Sequence, residues 1–123
     1  HKGHIEYMAR AADQGDIMVL GLNSDESVKR IKGENRPVQD ERSRSLVLAA
    51  LKFVTAVVLF DEDTPYELIK LVEPDVLVKG ADYKEEDIVG ADIVKARGGE
   101  IRTITLTEGY STTDIIHKIM QTP

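Results

Sequence analysis

The sequence has 123 residues, 41% apolar and 31% charged, an ordinary globular composition that fits one domain over residues 1–123 with a single core. A formal net charge of −6 excludes a general nucleic-acid surface, because a duplex binder needs a basic stripe to displace counterions. With no cysteine and no run of about 18 apolar residues, disulfide frameworks, thiolate chemistry and a membrane span are excluded, and a cytoplasmic setting is expected.

The chain opens with His1-Lys2-Gly3-His4 and runs into an amphipathic stretch reaching residue 14, so two imidazoles fall on the first turn of a predicted helix. A strand is predicted over 17–22 and a helix over 25–31. The irregular stretch 32–40 follows, and a loop of that length in a compact domain is more often functional than not. Next come a helix over 41–51 and a strand over 56–60. Thr64-Pro65-Tyr66-Glu67 reads as an N-cap, a proline at the first helical position and a glutamate in the first turn, opening a helix over 65–72 that Pro74 ends. A strand over 76–78, a helix over 90–96, a strand over 101–106 and a helix over 111–120 complete the chain.

Near-continuous apolar strands separated by helices indicate an α/β fold, a Rossmann-like doubly wound parallel sheet with helices on both faces. In such a fold the first helix follows a strand, yet the sequence begins at the helix itself. The opening strand is therefore missing, and the sequence is expected to start inside a longer polypeptide.

Ligands of open α/β sheets bind at the carboxyl ends of the strands. Those ends bring Asp25, the Lys32 to Arg36 loop, Lys79, Gly80 and Asp82, and Ser111 and Thr112 to one rim with His1 and His4. Helix N-termini carry unpaired N–H groups and the positive end of the dipole, so the rim suits a polyphosphate. Gly3 removes a side chain that would block close approach of a phosphate to the backbone. Plainer readings stand beside these. Ser111 with Asp114 has the spacing of a helix cap, Asp61 to Asp63 complement the dipole of the helix after them, Lys79-Gly80 reads equally as a strand exit, and Arg36 and Arg44 as surface charges. The His pair lacks the intervening glutamate and third ligand of a helical zinc site, and no protein-held metal is expected there.

His-x-Gly-His at a helix N-terminus, with Ser111-Thr112-Thr113 opening the last helix, resembles the cytidylyltransferase-like nucleotidyltransferases over essentially the whole chain. Arg36-Pro37-Val38, the run from Phe60 to Pro65, the run from Pro74 to Tyr83, and Gly98-Gly99-Glu100 look like the heptose 1-phosphate adenylyltransferase domain. In many bacteria that domain is the C-terminal half of a bifunctional kinase and adenylyltransferase. The resemblance implies transfer of AMP from ATP to D-glycero-β-D-manno-heptose 1-phosphate, with Mg²⁺ required and pyrophosphate released, for lipopolysaccharide core synthesis. A homo-oligomer and a fused sugar kinase domain are the expected partners in the whole protein, with no nucleic acid or membrane. By the same resemblance His1, His4 and Lys32 serve catalysis, Gly3, Arg36, Arg44, Ser111 and Thr112 bind phosphate, and Asp25, Lys79, Gly80 and Asp82 line the nucleoside or sugar.

Two departures stand out. The opening strand and the Gly-x-Phe-Asp turn into His1 are absent, and Leu106 stands where glycerol-phosphate cytidylyltransferases carry arginine. The second weakens the rival reading of a cytidylyltransferase acting on a polyol phosphate. The other rival is a nucleotide-binding module without turnover, which would not require both histidines.

Overall fold

The computed structural model describes residues 1–80 and 83–121. Eleven elements follow the predicted order: α1 (Lys2–Ala12), β1 (Val19–Asn23), α2 (Asp25–Lys32), α3 (Glu41–Ala49), β2 (Ala56–Phe60), α4 (Tyr66–Val72), β3 (Val76–Gly80), a 3-10 turn (Glu85–Asp87), α5 (Ala91–Ala96), β4 (Glu100–Ile104) and α6 (Thr112–Gln121). The 3-10 turn has no counterpart in the apolar pattern, because its three residues are all acidic.

Strands pair in parallel as β1 with β2, in register from Val19 opposite Ala56 to Asn23 opposite Phe60, and as β3 with β4, from Val76 opposite Glu100 to Gly80 opposite Ile104. Among the described residues these are two separate two-stranded sheets, with helices on both faces. Among the described residues no ladder joins the two pairs, so no continuous sheet backs one large core. The core is correspondingly small. Met8, Phe60, Ile69, Ile88, Ala91 and Val94 are its buried apolar side chains, while Ile17, Leu46, Val47, Leu71, Ile119 and Met120 stay exposed. No helix among the described residues is long and apolar enough to cross a membrane.

Local caps fix the helix starts. Ser24 accepts from the Ser27 amide at 3.2 Å to open α2, and Asp40 accepts from the Ser43 amide at 2.7 Å to open α3. At α4 the Thr64 expectation fails: Pro65 is itself the N-cap, without a side-chain cap bond, and the helix starts at Tyr66. Its other end follows the sequence, with Glu73 in the left-handed region at φ 53° just before Pro74. Strand four also shifts, beginning at Glu100 and ending at Ile104, so that Leu106 belongs to the loop before α6.

Contacts outside the ladders join the two halves. Tyr66 donates to Asp92 at 3.3 Å across α4 and α5. Arg36, in the loop after α2, donates to the Thr113 hydroxyl of α6 at 3.2 Å.

Candidate functional site

A cavity of about 280 Å³ opens where the N-termini of α1 and α6 converge. From α1 it takes His1, Gly3, His4 and Tyr7. The loop after α2 adds Lys32 and Arg36, and the β4–α6 segment contributes Leu106, Thr107 and residues 110–113. Two helix N-termini, two imidazoles and two cationic side chains thus face one space of ligand size, the arrangement that gathers anions.

The His1 and His4 rings stack with centroids 3.8 Å apart at 29°. The His1 backbone nitrogen lies 3.3 Å from His4 Nδ1, which makes Nδ1 the acceptor and leaves Nε2–H as the donor of a neutral ring. His4 titrates below its ordinary 6.5, first because burial strips its ring of water, with the positive charge of Lys32 also opposing a further proton. At pH 7 it is a neutral hydrogen-bond donor rather than a cation.

Gly3 is buried and lines the cavity, and its lack of a side chain also serves packing. A Cβ there would meet the His1 ring at 3.0 Å and Tyr110 Cβ at 3.1 Å, so the missing side chain makes room for protein packing. Gly80 behaves likewise. Its Cβ would fall 2.8 Å from Leu106 and 3.0 Å from the Tyr7 ring, and these side chains cover it. Tyr7 anchors that packing with a 3.4 Å bond from its hydroxyl to the Val78 carbonyl, and burial raises its pKa.

Ser111 is a helix cap, its Oγ accepting from the Asp114 amide at 2.9 Å, and it also lines the cavity. One residue carries both readings the sequence left open.

Arg44 and Asp25 are not brought into the cavity. Arg44 Nη2 lies 2.9 Å from Asp25 Oδ1, with side chains 18% and 27% exposed, and Arg44 Nε donates to the Gln39 carbonyl at 3.0 Å. The pair ties the start of α2 to α3 and so frames the loop that carries Arg36. Lys79 is exposed, with its ammonium 5.4 Å from the centre of the Tyr83 ring, away from the cavity lining. Asp82 lies outside the described residues. Asp63 pairs with Arg30 at 2.9 Å, and Arg30 also donates to the Asp61 carbonyl, so this acidic turn is held by α2 as well as by the dipole of α4.

Tyr7, Thr107 and Tyr110 line the cavity without having been singled out in the sequence. Tyr7 had a usable signal: it lies one helical turn beyond His4 and therefore on the same face of α1.

Magnesium prefers oxygen ligands and is usually held by carboxylates with substrate phosphates. Among the described residues no group of three His, Asp or Glu could hold a metal, and the cavity lining includes no carboxylate. These residues do not fit a protein-held Mg²⁺.

The family model described as cytidylyltransferase-like matches residues 1–118. The bifunctional protein HldE of Campylobacter concisus is 57% identical over 97% of this chain, and that of Geobacter metallireducens 52% over 98%. The chain spans only about a quarter of the length of these relatives, 24% and 25% respectively. A crystal structure of a lipopolysaccharide core biosynthesis protein from Thermoplasma volcanium superposes with a TM-score of 0.66 at 26% identity, covering 90% of this chain and 88% of that one. With 118 of its 123 residues matched and two helix N-termini turned on one basic cavity, the chain belongs to the cytidylyltransferase-like family.

Proposed function

We propose that this chain is an adenylyltransferase domain that transfers AMP from ATP to D-glycero-β-D-manno-heptose 1-phosphate, giving ADP-heptose and pyrophosphate for lipopolysaccharide core synthesis. The observation that carries the reading is the cavity in which His1, His4, Lys32 and Arg36 surround the N-termini of α1 and α6. Relatives named bifunctional protein HldE at 50–57% identity support the sugar-phosphate branch.

A phosphate oxygen of the heptose phosphate attacks the α-phosphorus of ATP. The bond from that phosphorus to the bridging oxygen breaks, and pyrophosphate leaves in line with its electron pair. The nucleophile is already an anion, so no general base is needed. Catalysis reduces to holding two mutually repelling anions together and stabilising charge on the α-phosphate and leaving group. His4 donates through Nε2–H to those oxygens, with His1 stacked on it to fix the ring. Lys32 and Arg36 neutralise the phosphates, and the amides opening α6 at Thr112 and Thr113 receive the β- and γ-phosphates. Any Mg²⁺ enters with the triphosphate as part of the substrate.

Pyrophosphate release by the full-length protein, with each nucleotide and sugar phosphate in turn, tests the reading. ATP with heptose 1-phosphate should be the productive pair. Turnover of CTP with glycerol 3-phosphate instead would move the domain to the polyol branch, and no turnover with any pair would refute the enzyme reading.

A further inference from the structure

The segment between β4 and α6 brings Ser111 to Thr113 to the cavity, and among the described residues its Thr107–Tyr110 stretch belongs to no strand or helix of its own. Side chains of α1 hold that stretch. The Thr107 hydroxyl donates to Glu6 Oε2 at 2.5 Å, a charge-assisted bond that draws the Glu6 carboxyl below the ordinary carboxylate range. Lys2 Nζ lies 3.5 Å from Glu6 Oε1 one turn away and 5.2 Å from the centre of the Tyr110 ring. Tyr110 closes onto bare Gly3, whose Cβ would sit 3.1 Å from Tyr110 Cβ. Thr107 and Tyr110 thus rest on one face of α1, and Gly109 at φ 80° makes the turn between them.

We propose that Glu6, acting through Thr107, is a positioning residue that locks the β4–α6 loop to α1, so that the N-terminus of α6 and the His pair address the same phosphate chain. Lys2 completes the lock by holding both Glu6 and Tyr110. Glu6 touches no ligand in this role, and its effect reaches the phosphates only through the loop. The catalytic consequence rests on the nucleotidyl-transfer reading above, whereas the effects on loop order and on pyrophosphate binding do not.

The test compares Glu6→Ala, Glu6→Gln, Thr107→Val and the Glu6→Ala/Thr107→Val double variant in the full-length protein. Titration calorimetry with inorganic pyrophosphate and amide hydrogen exchange over residues 107–113 are the readouts. Losing a hydrogen bond to a charged group should weaken pyrophosphate about tenfold in Glu6→Ala and in Thr107→Val and speed loop exchange. The double variant should be no worse than either single one, because both remove the same link. Glu6→Gln still accepts from Thr107 and should bind within about threefold of the parent. Unchanged loop exchange and pyrophosphate affinity in Glu6→Ala, or additive losses in the double variant, would overturn the proposal. If the parent binds pyrophosphate but turns over no substrate pair, the enzyme reading fails while these binding arms still decide the role of Glu6.

Discussion

Arg36 Nη2 donates to Thr113 Oγ1 at 3.2 Å, joining residues 77 positions apart across the mouth of the cavity. The contact sets a cation beside the N-terminus of α6 and spans the two separately paired strand sets. Arg36→Ala should therefore raise KM for ATP by roughly 10- to 100-fold, the range for a lost charged hydrogen bond of about 1.5–3 kcal/mol. Arg36→Lys keeps the charge but not the planar fork and should recover only part of the loss. Steady-state kinetics of both variants check this, and unchanged KM in Arg36→Ala would remove the residue from the site.

His4 gives the pH dependence. Its pKa lies below 6.5 in the free protein, with loss of water first and neighbouring positive charge second. A bound polyphosphate brings negative charge to the ring and favours its protonated form, so the pKa rises on binding. Between the free and bound values the complex carries more protons than the free protein, and pyrophosphate affinity must increase as pH falls through that window. Proton uptake measured by calorimetry in buffers of different ionisation enthalpy, with the His4 ring followed by NMR, tests the sign. Proton release on binding would contradict it. His4→Ala should lower kcat by roughly 10²- to 10³-fold, as for one lost oxyanion donor, with KM for ATP changing much less.

The start of α6 separates structure from chemistry within two residues. Ser111→Ala removes the acceptor for the Asp114 amide and should cost about 1 kcal/mol of stability. Thr112 makes no such cap bond among the described contacts and lines the cavity, so Thr112→Ala should reduce turnover with little change in Tm. Thermal melts and pyrophosphate-release rates measured together distinguish the two. Equal activity in both variants would assign the Ser-Thr-Thr segment to capping alone.

His1, Gly3, His4, Lys32, Arg36, Ser111 and Thr112 could be gathered from the sequence because each sits at a helix end or in a loop at a strand's carboxyl end. Such positions follow from local periodicity and capping. Tyr110 and Thr107 were harder to find, since their place depends on a loop folding onto α1 through Glu6, a contact 101 residues distant in the chain. Gly80 ends β3, the strand exit that the sequence also allowed, and only the packed structure shows Tyr7 and Leu106 filling the space over it.

Arg44 is held by an acidic partner and does not line the cavity. A basic residue just after a phosphate-rim loop reads as a phosphate ligand, but its partner Asp25 is 19 positions earlier and half-buried with it. Arg44→Ala should therefore act first on stability and on the placement of the Arg36 loop. It leaves a half-buried carboxylate without its cation, an effect of about 1–3 kcal/mol. Arg44→Ala/Asp25→Ala removes both charges and should be less destabilising than the sum of the single variants, the signature of a direct pair. Denaturant unfolding of the four proteins measures that coupling, with ATP affinity recorded alongside. If Arg44 instead bound phosphate, Arg44→Ala would lose ATP affinity with unchanged stability, and Asp25→Ala, which frees the arginine, would bind ATP more tightly. The 2.9 Å contact between their side chains predicts the reverse: both single variants destabilise, and both weaken ATP binding by loosening the loop from which Arg36 reaches Thr113.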